Sequence, residues 1–210
     1  MNNIKYIFRD FRGTIMKLDT KKYGHVTQIS NIYNIPKNEI RKAVEKPLAK
    51  MRRGEITEKN FRKEFSKNIN KPILKDCSKI FHTPVELYSK PYKNIINLIL
   101  KLKKLGYKNI ILSDDFKAQT KNVKKTGLHK YFDDKILSCE VGLSKFDDTV
   151  NGTTKIFEYA LKKYGIQGSE AVFVDDLEKN CIVANKLGIK TIVAQNSKQT
   201  IRDLKNILKI

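Results

Sequence analysis

The chain has 210 residues, 40% of them apolar, and 43 Lys plus Arg against 22 Asp plus Glu give it a net charge of +21. That length fits one domain, or one core with a small insert. No apolar run approaches the ~18 residues of a membrane span, and the N-terminal MNNIKYIFRD lacks the long apolar stretch of a secretory signal. The positive balance favours acidic substrates or polyanions through long-range steering. It is spread along the chain with no nucleic-acid recognition motif, so a nucleic-acid partner rests on net charge alone. A small phosphorylated substrate would be drawn by the same field.

Lys5 to Thr14 reads KYIFRDFRGT. The apolar run Tyr6, Ile7, Phe8, bounded by a turn signal, predicts a buried parallel strand. Asp10 then lies at or just past its carboxyl end, the rim where open α/β sheets bind ligands. A carboxylate there can ligate a hard cation or attack an electrophilic phosphorus or carbon. Gly13 lets the chain turn sharply beside a ligand. Arg9 is costly in a buried strand unless paired. Arg9 and Arg12 flank Asp10 and are expected to pair with it or with Asp175 and Asp176.

Two or three helical segments are predicted from about Lys21 to Phe81. Ile40, Val44, Leu48 and Met51 recur at helical spacing, with Pro47 expected to kink that helix or cap a piece of it. Thr57 is placed to cap a helix carrying Phe61 and Phe65. Pro72 is expected to open a short helix with Ile73, Leu74 and Ile80. Among the basic residues here, Arg41, Arg52 and Arg53 could face a cleft or line a solvated face.

From Pro91 strands and helices alternate. Ile95, Ile96, Ile99, Leu102 and Leu105 form a helical stripe ended by Gly106. Asn109 to Leu112 is a buried strand closed by Ser113 and Asp114. A Ser there can also cap a helix. Phe116 to Lys125 reads as a helix ended by Gly127. Ile156 to Leu161 begins another helix, ending near Gly165. Ala171 to Val174 is a strand that runs into Asp175-Asp176, adjacent acids whose repulsion a divalent cation would relieve. Capping a helix that begins at about Glu178 is the competing role. A strand from Lys190 to Ala194 and a helix from about Thr200 to Leu208 close the chain. The cysteines Cys77, Cys139 and Cys181 contain no CxxC pair and read as reduced thiols of a cytoplasmic protein. Cys181 sits in an apolar stretch and reads as packing. His25, His82 and His129 have no metal-ligand spacing.

Asp10-Phe11-Arg12-Gly13-Thr14 after an apolar strand resembles the first motif, Asp-x-Asp-Gly-Thr, of the haloacid dehalogenase-like hydrolases. Ser113 matches their second motif, with Asp114 where Asn is common. The run GLHKYFDDKILSCEVGLSK, ending at Lys145, resembles the approach to their third, and Asp175-Asp176 their fourth. The resemblance spans nearly the whole chain, tight from Lys90 on and loose in the helical stretch. It implies a doubly wound, Rossmann-like α/β core of residues 1–16 and 86–210, with a small all-helical cap of residues 17–85 inserted after the first strand.

For the site, the resemblance implies that Asp10 is the nucleophile. Thr14, Ser113, Asp114 and Lys145 would bind phosphate, Lys145 also neutralising the nucleophile. Mg²⁺ would sit on Asp10, on Asp176 directly, and on Asp175 directly or through water. The usual Pro-Asp-Pro does not follow Lys145. Phe146 to Thr153 intervenes, which could displace Lys145 and leave Lys155 as its replacement.

Arg12 stands where the phosphatase members carry their general acid. A guanidinium stays protonated and cannot give up a proton to a leaving alcohol. Three readings follow. The first is a phosphomonoester hydrolase with reduced or specialised activity. The second is an inactive anion-binding relative in which a guanidinium partly replaces the metal. The third is a hydrolase of carbon–halogen or carbon–phosphorus bonds.

Overall fold

In the computed structural model, which describes residues 3–18, 24–74, 80 and 89–210, the apolar runs become one parallel sheet. In chain order the first elements are strands β1 (Tyr6–Arg9) and β2 (Met16–Leu18), then helices α1 (His25–Tyr33), α2 (Lys37–Arg52) and α3 (Glu58–Ile69). Next come β3 (Ser89–Pro91), α4 (Lys93–Lys104), β4 (Lys108–Ser113), α5 (Lys117–Lys125), β5 (Asp134–Leu137) and the short α6 (Ser138–Val141). The remainder is α7 (Lys145–Asn151), α8 (Lys155–Tyr164), β6 (Ala171–Asp175), α9 (Glu178–Asn185), β7 (Lys190–Val193) and α10 (Ser197–Leu208).

The sheet order is β5-β4-β1-β6-β7. Each neighbouring pair is parallel, with Phe8 opposite Ile110 on one side and Phe173 on the other. Helices cover both faces, which is why the strands read as unbroken apolar runs. Phe8, Leu112, Ile136 and Phe173 face a cluster with Phe157, Ala160 and Cys181. Ile7, Val172, Val174 and Ile192 face the opposite way, toward Leu98, Leu102, Leu204 and Leu208. The chain winds outward from β1 through β4 and β5, then crosses back to β6 and β7. The switch point therefore lies at β1 and β6, and the crevice at their carboxyl ends is the expected ligand site.

Helices α1–α3 pack around their own cluster, which holds Tyr33, Ile40, Val44, Met51, Phe61 and Phe65 together with Phe116 from the sheet side. Thr57 caps α3 as expected, accepting from the Asn60 N–H at 3.2 Å. α2 runs unbroken through Pro47, so that residue does not cap a separate piece. The Pro72 helix is not formed over its first residues: 72–74 are irregular and Ile73 and Leu74 are exposed. Most of the rest of it, with Cys77 and His82, lies outside the described residues. Leu105 joins the α4 stripe in sequence but is 53% exposed at the helix end. Cys181 is buried in the core, as read from its neighbours.

The chain leaves for α1 and returns through an antiparallel ribbon, β2 against β3, with Met16 opposite Pro91. A second tie is Gly54, after α2. Its φ is +74, and a β-carbon there would lie 2.5 Å from the Cys139 carbonyl oxygen. Gly54→Ala is expected to cost about 1–3 kcal/mol through left-handed strain and this overlap. Urea unfolding with an unchanged midpoint would contradict that.

Candidate active site

Each carboxylate at the rim gets there by strand geometry. The Asp10 N–H donates to the Val174 carbonyl at 2.9 Å, continuing the β1–β6 ladder one residue past β1. The chain then turns at once. Gly13 adopts φ +86 and its N–H donates to the Met16 carbonyl. A β-carbon on Gly13 would overlap the Asp176 carboxylate, so only glycine lets this turn lie against the end of β6.

Lys145 joins the two strands. Its Nζ donates to Asp10 Oδ1 and Asp175 Oδ2, both at 2.7 Å, and to the Leu112 carbonyl at 3.2 Å. It is 2% exposed. Burial works against its charge, but Asp10 and Asp175, with Asp114 beyond, outweigh that and raise its pKa. The residues that follow do not displace it, because they form α7 and Lys145 is the first residue of that helix. Ser144 caps α7, and the Asp114 carboxylate accepts from the Ser144 hydroxyl and from the Lys145 and Phe146 N–H groups. Lys155 is exposed at the start of α8, so it does not take the place of Lys145.

Asp175 is fully buried. Oδ1 accepts from the Leu177 N–H at 2.8 Å, and Oδ2 from Lys145 and from Asn180 Nδ2 at 3.0 Å. Both oxygens are engaged, which argues against the expectation that it ligates a metal directly. The Leu177 bond turns the chain toward α9, but Leu177 is the residue that opens that helix and no side chain caps it, so the capping role expected of the acid pair is not formed. Asp176 is open to the cavity, and its pKa is pushed up to about 6, by burial first and then by Asp10 and Asp175.

The two arginines do not behave as expected. Arg12 turns to the far side of the crevice, where Nη2 lies 2.8 Å from Asp115 Oδ1 and 3.1 Å from the Asp114 carbonyl. Burial raises the Asp115 pKa and Arg12 opposes the rise. Arg9 is 1% exposed, and its Nε and Nη2 have no hydrogen-bond partner. Side chains alternate along a strand, so Arg9 shares the face of Ile7 and points away from Asp10. Its pKa is lowered to about 10 by burial. The cation between the rim carboxylates is thus an ammonium, from Lys145, and not a guanidinium.

A cavity of about 260 Å³ opens over these groups, lined by Asp10, Arg12, Asp114, Lys145, Asp175 and Asp176. Arg52 from α2, Phe146, Leu177, Lys179 and Asn180 complete the wall. Ser113 and Thr14 are buried and are not in that wall. The Thr14 hydroxyl donates to the Asp10 carbonyl, and Asp114 is occupied in holding the start of α7. Of the three arginines near the insert, Arg52 faces the cavity, Arg53 pairs with Glu55 and Asp147, and Arg41 is exposed. Sequence reading passed over Phe146, Lys179 and Asn180. Asn180 had a signal, since it lies within one to two helical turns of Asp175.

No three acidic, His or Cys side chains among the described residues gather closely enough to hold a metal by themselves. The donors do fit a hard cation that keeps most of its water. Asp10 and Asp176 offer carboxylate oxygens, and Asn180 Oδ1 is a buried acceptor with no donor.

A doubly wound sheet carrying an aspartate, a lysine and an acid pair at its switch point defines a class of hydrolases. The haloacid dehalogenase-like hydrolase profile matches residues 4–188, and the chain belongs to that family. Among curated relatives, glyceraldehyde 3-phosphate phosphatase of Methanocaldococcus jannaschii is 30% identical over 142 residues, 63% of this chain and 60% of that protein. The chain spans less than two thirds of the curated relatives it matches, and only 15% of mouse acyl-CoA dehydrogenase family member 10. Among solved structures, a HAD-like family hydrolase of Porphyromonas gingivalis superposes with a TM-score of 0.76 at 19% identity, covering 99% of this chain and 98% of that one. Among the described residues, no helix is long and apolar enough to cross a membrane.

Proposed function

We propose that this chain is a phosphatase in which Asp10 takes the phosphoryl group of a small phosphomonoester and passes it to water. The observation that carries this reading is Asp10 held against Lys145 in the wall of the cavity. As Asp10 attacks phosphorus, the bond to the leaving oxygen breaks and an aspartyl phosphate forms. Water then attacks that phosphorus, the bond to Asp10 breaks and inorganic phosphate departs. Lys145 orients Asp10 and offsets charge on both. Mg²⁺, when bound by Asp10 and Asp176, would offset charge on the phosphoryl oxygens. A related HAD family enzyme from Bacteroides thetaiotaomicron, 24% identical with a TM-score of 0.72, was solved with magnesium and inorganic phosphate. Residues 17–85 are read as a cap over a core of 1–16 and 86–210, supported by the separate cluster of α1–α3 and the β2–β3 ribbon.

Arg12 supplies no proton to the leaving group, so substrates whose leaving oxygen departs as a stable anion are favoured. Purified protein is expected to release phosphate from p-nitrophenyl phosphate and acetyl phosphate in a Mg²⁺-dependent way. Simple alkyl phosphates should be slower by about 10²-fold or more. The same arginine favours a second reading, a non-catalytic anion-binding protein. Phosphate that binds without any turnover would support that reading. A protein that neither binds phosphate nor turns over any ester would sink both.

A further inference from the structure

Two cations in the cavity wall take no part in the chemistry above. Arg52 ends α2 and Lys179 lies in the first turn of α9. Both lie over the ring of Phe146, their charged groups 5.4 and 5.1 Å from its centroid. The other wall cations have carboxylate partners: Lys145 has Asp10 and Asp175, and Arg12 has Asp115. Arg52 and Lys179 have no carboxylate partner among the described residues. Burial lowers the Arg52 pKa, and Arg12 adds to the effect. Asp114, Asp115 and Asp147 oppose it from a distance. Arg52 is the cation whose burial without a counter-charge is costly until an anion arrives, and the exposed Lys179 shares its aromatic ring. Phe146 steadies both cations through its ring face. Three separate elements, α2, α7 and α9, thus bring two unpaired cations and one aromatic ring to one wall of the cavity that also holds Asp10.

We propose that Arg52 and Lys179, seated on Phe146, form a second anion subsite, so that the preferred substrate is a small phosphomonoester bearing a second anionic group, a carboxylate or another phosphate. This rests on reading the Asp10 end as the phosphoryl site. The cavity, about 260 Å³, is smaller than the ~300–1,000 Å³ of typical drug-sized sites. A cavity of that size favours a short linker between the two anions.

The test is calorimetric titration of the full chain, with Mg²⁺, against three phosphonates that resist hydrolysis. These are butylphosphonate, phosphonobutyrate and propylene bisphosphonate. At least one of the doubly anionic ligands should bind about 10-fold or more tightly than butylphosphonate, the value expected of hydrogen bonds to charged groups. A gain for phosphonobutyrate assigns the second group as a carboxylate, and a gain for the bisphosphonate alone assigns it as a phosphate. Lys179→Met, at an exposed position that leaves folding intact, should remove most of the gain, as should Arg52→Met. Lys190→Met, at the opposite rim of the sheet where β7 begins, should keep it, which separates the subsite from the general positive field. Equal binding of all three ligands overturns the subsite and leaves the phosphoryl site standing. A gain that survives both Met variants also overturns it. Failure of all three to bind at about millimolar concentration overturns the phosphoryl site as well.

Discussion

Replacing Arg12 by Asp together with Asp115 by Asn is expected to raise kcat on a simple alkyl phosphomonoester by about 10²-fold or more. The second substitution is needed because Arg12 is not a bystander. Its guanidinium is the counter-charge of Asp115, whose side chain is only 3% exposed. Arg12→Asp alone puts two carboxylates where an ion pair stood. Breaking a buried pair from one side costs about 3–5 kcal/mol, so the single variant should unfold at lower urea and show little of the gain. Asn at 115 removes the stranded charge. It should leave the backbone in place, because Ser138 Oγ accepts from the Asp115 N–H and donates to its carbonyl. Steady-state kinetics and urea unfolding of wild type, single and double variants check both halves. A folded double variant no faster than wild type would show that a missing proton donor is not what limits this site.

The strands were legible because each is covered on both faces, so their apolar runs needed no periodicity to be seen. Asp10, Asp175 and Asp176 were legible for a related reason. Carboxylates placed at strand ends must meet at one rim once the sheet is parallel. Lys145 and Lys155 could not be told apart by spacing. What separates them is a helix that starts at Lys145, capped by Ser144 and braced by Asp114, so that the extra residues fall after the lysine. Neither arginine pairs with the rim carboxylates as expected, for two different reasons. Arg9 follows from strand alternation, which turns it from Asp10. Arg12 depends on Asp115, a residue more than a hundred positions away that reads locally as one more loop acid. The Phe146 wall escaped notice because it is assembled from α2, α7 and α9 and has no local pattern.

Lys145→Met is expected to lower turnover by about 10²–10³-fold and to destabilise the protein by about 3–5 kcal/mol near neutral pH. The lysine is 2% exposed and lies 2.7 Å from both Asp10 Oδ1 and Asp175 Oδ2. Methionine fills similar space and leaves both carboxylates facing each other. The pH dependence separates this cause from simple misfit. In wild type the Lys145 pKa is raised, so its contribution is complete below the unfolded lysine value of about 10.4 and is lost only above it. It is therefore flat from mildly acidic to mildly basic pH. In the variant the carboxylates lose their cation. The Asp175 pKa, already raised by burial, should climb further. An acid whose folded pKa is raised binds its proton more tightly when folded. Its destabilising effect is thus present above the folded pKa and fades as pH falls through it. The stability gap between variant and wild type should be widest at about pH 8 and should narrow as the pH is lowered to about 5. Urea midpoints measured across that range decide the matter, and a gap that stays constant with pH would mean that Lys145 is held by packing and not by the two aspartates.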